Sequence, residues 1–194
     1  EAEDFARGLD VIEDRAESLN RFLQAYRELM GLPAPKLRSV SLSGIVRRVA
    51  QLETRVPVAV ESGVELTIEA DPDQLAQAMI NLVRNAAEAA LSMEREPDHK
   101  LQRQSSASVS IGWEIGEGEV IVSIVDNGPG LSNAGNLFVP FYTTKPGGTG
   151  IGLVLAQQIA LGHSGSVELT NRMDARGCRA TLRLPMRTAH PSSL

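Results

Sequence analysis

Cysteine is almost absent from this chain: Cys178 is the only one in 194 residues. A single thiol excludes an internal disulfide and a zinc site built on cysteines. Its plain reading is a small residue packed in a strand, and a reducing cytoplasm fits. No apolar run approaches the roughly 18–20 residues that span a bilayer, and no signal peptide opens the chain. No membrane contact is therefore expected of this stretch. There is no basic excess either: the net charge of −5 argues against nucleic acid as the main partner. An anionic ligand would need a local basic site or a metal to overcome that field. The chain starts Glu1-Ala2-Glu3-Asp4 without a Met and runs straight into helical periodicity. It reads as a cytoplasmic fragment of a longer protein, with any sensor or inner-membrane anchor upstream.

A hydrophobic share of 42% is enough to build a core. The first segment carries a heptad stripe. Phe5, Leu9, Ile12, Ala16, Leu19, Leu23, Tyr26 and Met30 alternate steps of four and three, which keeps one face on a partner helix. Gly31, Pro33 and Pro35 end that helix. The pattern divides the chain into a helix over 1–31, a linker over 32–40, a domain over 41–186 and a disordered tail over 187–194.

Within the domain, Ser41 is placed to cap a short helix with apolar positions Ile45, Val46, Val49 and Leu52. Strand signals follow at 56–60 and 65–70. Asp71-Pro72-Asp73-Gln74 is a strong helix start, with Asp as N-cap and Pro at the first helical position. That helix should run to about Met93, and the polar stretch 94–107 reads as a mobile loop. Alternating Val109, Ile111, Trp113 and Ile115 predict a strand at 109–115, and a turn at Gly116-Glu117-Gly118 leads to a second strand at 120–125. A helix from about Thr149 to Leu161 and strands at 166–171 and 178–184 complete the set. Strands and helices mix without regular alternation. The expected fold is α+β: a two-layer sandwich of a mixed, mostly antiparallel sheet with helices on one face.

Two glycine-rich loops, Asp126-Asn127-Gly128-Pro129-Gly130 and Gly147 to Gly152, flank an apolar-aromatic stretch. Glycine lets backbone N–H groups approach an anion, and a helix N-terminus adds a favourable dipole, so Gly148 to Gly152 suits phosphate. It lacks the Gly-Lys-Ser/Thr ending of a P-loop. Asn81, Asn85 and Glu88 fall on one helical face beside Leu75, Met79, Leu82 and Ala86. Asparagine is costly inside a helix. Two of them one turn apart suggest oxygen ligands facing a cleft, of the kind magnesium accepts when phosphates and waters complete its shell. A merely solvated helix face is the alternative.

Together, in order, these features resemble the GHKL superfamily of ATP-binding domains, and within it the sensor histidine kinases of two-component systems. Gln77-Ala-Met-Ile-Asn81-Leu-Val-Arg-Asn85-Ala86-Ala87 is similar to their N box, and Asp126-Asn-Gly-Pro-Gly130 to their first glycine box. Phe138-Val-Pro-Phe-Tyr-Thr-Thr-Lys145 is similar to their phenylalanine box, and Gly148-Thr-Gly-Ile-Gly-Leu153 to their second glycine box. Ala86-Ala87-Glu88-Ala89 resembles the nitrogen-regulation type. The resemblance implies a catalytic domain that binds ATP or ADP with Mg²⁺. Asp126 would accept a hydrogen bond from the adenine amine, and Asn85 would bind the metal with Asn81 in support. Gly128 and Gly130 would leave room for the base. Gly148, Gly150 and Gly152 would cradle phosphates, which Lys145 and, with less support, Arg84 would reach as charges. Phe141, Thr144, Thr149, Ile151 and Leu153 complete the nucleotide-binding set.

The first helix resembles the second helix of the dimerisation and histidine-phosphotransfer hairpin, which implies a homodimer and a response regulator receiver domain as partner. No histidine of the chain, His99, His163 or His190, resembles an acceptor, and all three read as ordinary surface histidines. Glu88 stands where such kinases often carry a basic residue, so one phosphate contact is expected to be missing. Cys178 stands where they often have Thr. Hydrolase branches carry Glu one turn before the metal-binding Asn; here that position is Asn81. The expected activity is therefore γ-phosphoryl transfer to histidine. A GHKL-type ATPase and a non-catalytic nucleotide-binding scaffold are the alternatives.

Overall fold

The structure is a computed structural model that describes residues 9, 12, 13, 15–17, 19, 20, 23, 26, 27, 30–61, 63–94, 106–132, 134–143, 145 and 148–186. Every described residue before Gly31 is helical. The heptad positions Leu9, Ile12, Leu19, Leu23, Tyr26 and Met30 remain between 44% and 67% exposed, so the described part of the stripe is not buried by the domain. Phe5, His99, Thr144, His190, most of the loop expected over 94–107 and the tail expected over 187–194 lie outside the described residues.

Residues 38–40, within the stretch read as a linker, already belong to a strand. This strand, β1 (Arg38–Ser41), pairs antiparallel with β3 (Thr67–Ala70) as a separate ribbon. A four-residue strand of mixed polarity, as β1 is, leaves too little alternation to read from the sequence. Between them lie α1 (Leu42–Leu52) and β2 (Val58–Val60). Ser41 caps α1 as expected, its hydroxyl accepting from Gly44 N–H at 3.2 Å.

The main sheet has the order β2-β4-β5-β7-β6, with β4 (Val109–Ile115), β5 (Glu119–Asp126), β6 (Ser166–Asn171) and β7 (Cys178–Pro185). Only β2 runs parallel to its neighbour; the other pairings are antiparallel. The long helix α2 (Pro72–Glu94) and α3 (Gly152–Gly162) pack on this sheet and on each other. The core forms from Val109, Ile111, Val120, Val122, Ile124, Ala180 and Leu182 on the strands, facing Leu75, Met79, Leu82, Ala86, Leu155 and Ile159. The period of two that buries Val120, Val122 and Ile124 also carries Asp126 to the helix-facing side at the end of β5. The sheet alternation thus places a carboxylate at the edge of the core.

Asp71 caps α2: its Oδ1 accepts from Asp73 and Gln74 N–H, both at 3.1 Å. Gln74 does not reach back to the cap, as a capping box would have it. Its Nε2 donates to Pro33 O at 2.9 Å instead, and the Asp71 N–H donates to His163 Nε2 at 3.0 Å. His163 is therefore not a surface histidine. It is 3% exposed, and its Nδ1 donates to Ile159 O at 2.8 Å while Nε2 accepts. That pair of bonds sets which ring nitrogen donates and which accepts. It joins the C-terminus of α3 to the N-terminus of α2.

Candidate nucleotide site

Asp126 is 5% exposed. Its Oδ1 accepts from Gly128 N–H at 2.8 Å and Cys178 N–H at 3.2 Å. Burial raises its pKa above the usual carboxylate range, against the lowering effect of those two amides and of Arg172 and Lys145 nearby. Cys178 follows the inward phase of β7, and burial beside Asp126 pushes its thiol up to about 12. It is a packed, unreactive residue, and its backbone rather than its sulfur serves the carboxylate.

The glycines of the first loop are held by close approaches. A Cβ on Gly128 would stand 2.7 Å from the Ala89 carbonyl carbon and 2.8 Å from its oxygen, so the loop lies directly on α2. Gly130 has φ +84° and faces Asn171 Oδ1, which also accepts from Leu131 N–H at 2.5 Å. These contacts supply reasons for both glycines independent of any base.

On α2, Asn81, Asn85 and Glu88 are all partly exposed on the flank of the buried stripe, as their spacing predicts. Asn81 lies against the start of α3, with Oδ1 3.5 Å from the position of a Cβ on Gly152. Its Nδ2 is buried with no hydrogen-bond partner among the described residues. A buried donor left unsatisfied is costly, and a water or phosphate oxygen would relieve it. Asn85 Oδ1 receives the Lys145 ammonium at 2.6 Å, and Glu88 Oε2 receives the same group at 2.9 Å. Arg84 and Arg55 face Glu88 Oε1 at 3.1 and 3.7 Å. Burial would raise the Glu88 pKa, but Lys145 and Arg84 outweigh it and hold the carboxyl below its ordinary value. Arg84 is thus spent on an i,i+4 ion pair. The role of Glu88 as an anchor for Lys145, and the part of Arg55, were not legible, because both depend on contacts across 33 to 57 residues.

The second glycine loop is tied to the segment before it. Phe141, at φ +65°, donates its N–H to Gly150 O at 3.1 Å, and Gly150 has φ +67° with a Cβ position 2.6 Å from the Phe141 carbonyl carbon. Gly148 N–H donates to Lys145 O at 3.1 Å. These turns delay the helix: α3 starts at Gly152, three residues beyond the expected Thr149, with Ile151 buried as its N-cap. Thr149 is exposed, and Leu153 packs partly against the core. The structure therefore brings Asn85, Lys145 and Glu88 into direct contact and sets Asp126, Gly128 and the Asn81–Gly152 approach around the same helix. Among the described residues there is no group of three His, Cys, Asp or Glu able to hold a metal. Magnesium on a nucleotide takes only one or two protein oxygens, and Asn85 Oδ1 is a hard oxygen already holding a cation, so these residues fit it.

A family model described as histidine kinase-, DNA gyrase B-, and HSP90-like ATPase matches residues 70–188. The sensor histidine kinase ZraS of Salmonella typhimurium is 30% identical over 185 residues, covering 91% of this chain and 37% of that protein. The nitrogen regulation protein NtrY of Azorhizobium caulinodans is 30% identical over 196 residues, covering 97% of this chain and 24% of its own length. The chain thus spans roughly a third or less of these relatives. Among solved structures, the catalytic domain of histidine kinase ThkA has a TM-score of 0.63 at 26% identity, covering 78% of this chain and 96% of that one. ThkA in complex with the response regulator protein TrrA has a TM-score of 0.67 at 21% identity, covering 96% and 53%. The chain belongs to the family of histidine kinase-, DNA gyrase B- and HSP90-like ATPases, and within it corresponds to the ATP-binding catalytic region of sensor histidine kinases.

Proposed function

We propose that this chain supplies the catalytic domain of an ATP-dependent protein-histidine kinase, moving the γ-phosphoryl of ATP to a histidine on a dimerisation helix for relay to a response regulator receiver domain. The observation that carries the reading is Asp126: a buried carboxylate at the end of a core strand, one oxygen fixed by two backbone amides. That arrangement leaves the second oxygen for the adenine amine. Asn85 would hold Mg²⁺, and Asn81 Nδ2 would donate to a water or phosphate oxygen. Lys145 would meet the phosphates as a point charge. Bound Mg²⁺ would neutralise phosphate charge in the transfer. The chain's own part is to position the nucleotide, since phosphoryl transfer asks little covalent chemistry of the protein.

The ATPase alternative needs a group that activates water. Asn81 is no base, and Glu88 is ion-paired with Lys145 and Arg84. Those partners keep it ionised but also occupied. The exposed heptad residues support a partner helix in a homodimer of the full protein, and ThkA with TrrA supports a receiver domain as the phosphate recipient. The test is incubation with γ-labelled ATP, Mg²⁺ and a dimerisation hairpin carrying a histidine from a similar kinase. Acid-labile, alkali-stable label on the hairpin is expected, with little free phosphate. Steady phosphate release without label on the hairpin would replace the kinase reading with the ATPase one.

A further inference from the structure

The Lys145 ammonium donates to Asn85 Oδ1 at 2.6 Å and to Glu88 Oε2 at 2.9 Å. Two oxygens one helical turn apart on α2 therefore enclose one cation. The other Glu88 oxygen faces Arg84 at 3.1 Å and Arg55 at 3.7 Å. Arg55 is itself fixed by Glu53, whose Oε1 and Oε2 accept from its Nε and Nη2 at 3.0 and 2.6 Å. Glu88 is thus braced from α2 and from the exit of α1, and it presents one oxygen beside Asn85.

A Mg²⁺ ion would sit about 2.1 Å from its oxygen ligands. The ammonium occupies that side of Asn85 Oδ1, and two cations sharing one carbonyl oxygen repel strongly at such separations. Lysine and metal must therefore alternate. Nucleotide phosphates offer Lys145 a more highly charged acceptor than Glu88, and their arrival with the metal relieves the conflict. Free Mg²⁺ brings no such compensation.

We propose that Glu88 is a positioning residue of the nucleotide site: with Asn85 it forms a two-oxygen seat that Lys145 fills in the nucleotide-free domain, so that a divalent cation enters only together with the phosphates that draw Lys145 away. This rests on the assignment of the metal to Asn85. Glu88 does not replace the missing basic residue on the helix; it stores a basic group from the following segment at the point of use. Arg84 and Arg55 keep the seat in place when the lysine leaves.

The probe is Mn²⁺, followed by the loss of its free-ion paramagnetic resonance signal, on the whole chain without nucleotide. Wild type is expected to leave the signal nearly unchanged. Lys145→Met should bind Mn²⁺ roughly tenfold more tightly, as removal of a charged competitor allows, and Lys145→Met/Glu88→Gln should lose that gain. Lys145→Gln serves as a second variant should the methionine perturb the fold, with circular dichroism as the check. Two results overturn the exchange: no gain in either lysine variant, or a gain that survives Glu88→Gln. Titration of ADP with Mg²⁺ on the same samples separates this from the underlying site. Normal ADP binding beside a silent lysine variant sinks the exchange alone. No magnesium-dependent ADP binding by wild type sinks both.

Discussion

Asp126 carries opposed demands. Its folded pKa is raised by burial, so its contribution to stability is full below the unfolded pKa and is lost as pH rises through the raised folded value. Wherever it is ionised, the buried carboxylate is a standing cost to the fold. Asp126→Asn keeps an oxygen for the Gly128 and Cys178 amides, so it should raise the melting temperature at neutral pH, with the gain shrinking as pH falls. The same change should weaken nucleotide binding by roughly 10–100-fold, because an amide cannot replace a charged acceptor without turning its NH₂ on a donor. Scanning calorimetry across pH, paired with ADP titration, reads both effects. A variant that lost stability and kept its affinity would remove Asp126 from the site. Gly128→Ala tests the neighbouring contact: with the Ala89 backbone within 2.7 Å of the new carbon, a loss of about 1–3 kcal/mol in chemical denaturation is expected.

At the scale of elements, α2 ties the site to the N-terminal connection. Asp71 accepts from Asp73 and Gln74 through one oxygen and from Lys36 N–H at 2.9 Å through the other. Asp71→Ala should cost about 1–2 kcal/mol, at the upper end for a lost cap, because the connection is released along with the helix start. Equal stability in urea denaturation would contradict that. The Asp-Pro-Asp-Gln start and the core stripe of α2 were legible because caps and period 3.6 are local signals. The strands β4 and β7 alternate in the sequence, whereas β5, apolar at five of the six positions 120–125, was legible as an apolar run after a turn. By contrast, β1 and the delayed start of α3 were not, since each is set by a distant partner: Ile68 and its neighbours for β1, Phe141 for Gly150. His163 was misread for the same reason. A histidine just after a helix gives no sign that an amide 92 residues earlier is pointed at it.

For the whole molecule, the order of four motifs made the family readable and a candidate site nameable before any geometry, while the ionic contacts among its residues came only from the fold. The burial of His163, with Nε2 engaged by the Asp71 amide, leaves that residue unable to attack a phosphoryl group. The chain alone, given ATP and Mg²⁺, should therefore acquire no acid-labile, alkali-stable label at His163, as mass mapping after alkali treatment would show. No helix among the described residues is long and apolar enough to cross a membrane. The most direct test of the account is calorimetric titration of ADP and ATP, with and without Mg²⁺, on wild type, Asp126→Asn and Asn85→Ala. The account predicts saturable binding that prefers adenine, needs magnesium for ATP, and falls at least roughly tenfold in both variants. Absence of nucleotide binding by the folded wild type, or binding that both variants leave unchanged, would contradict it.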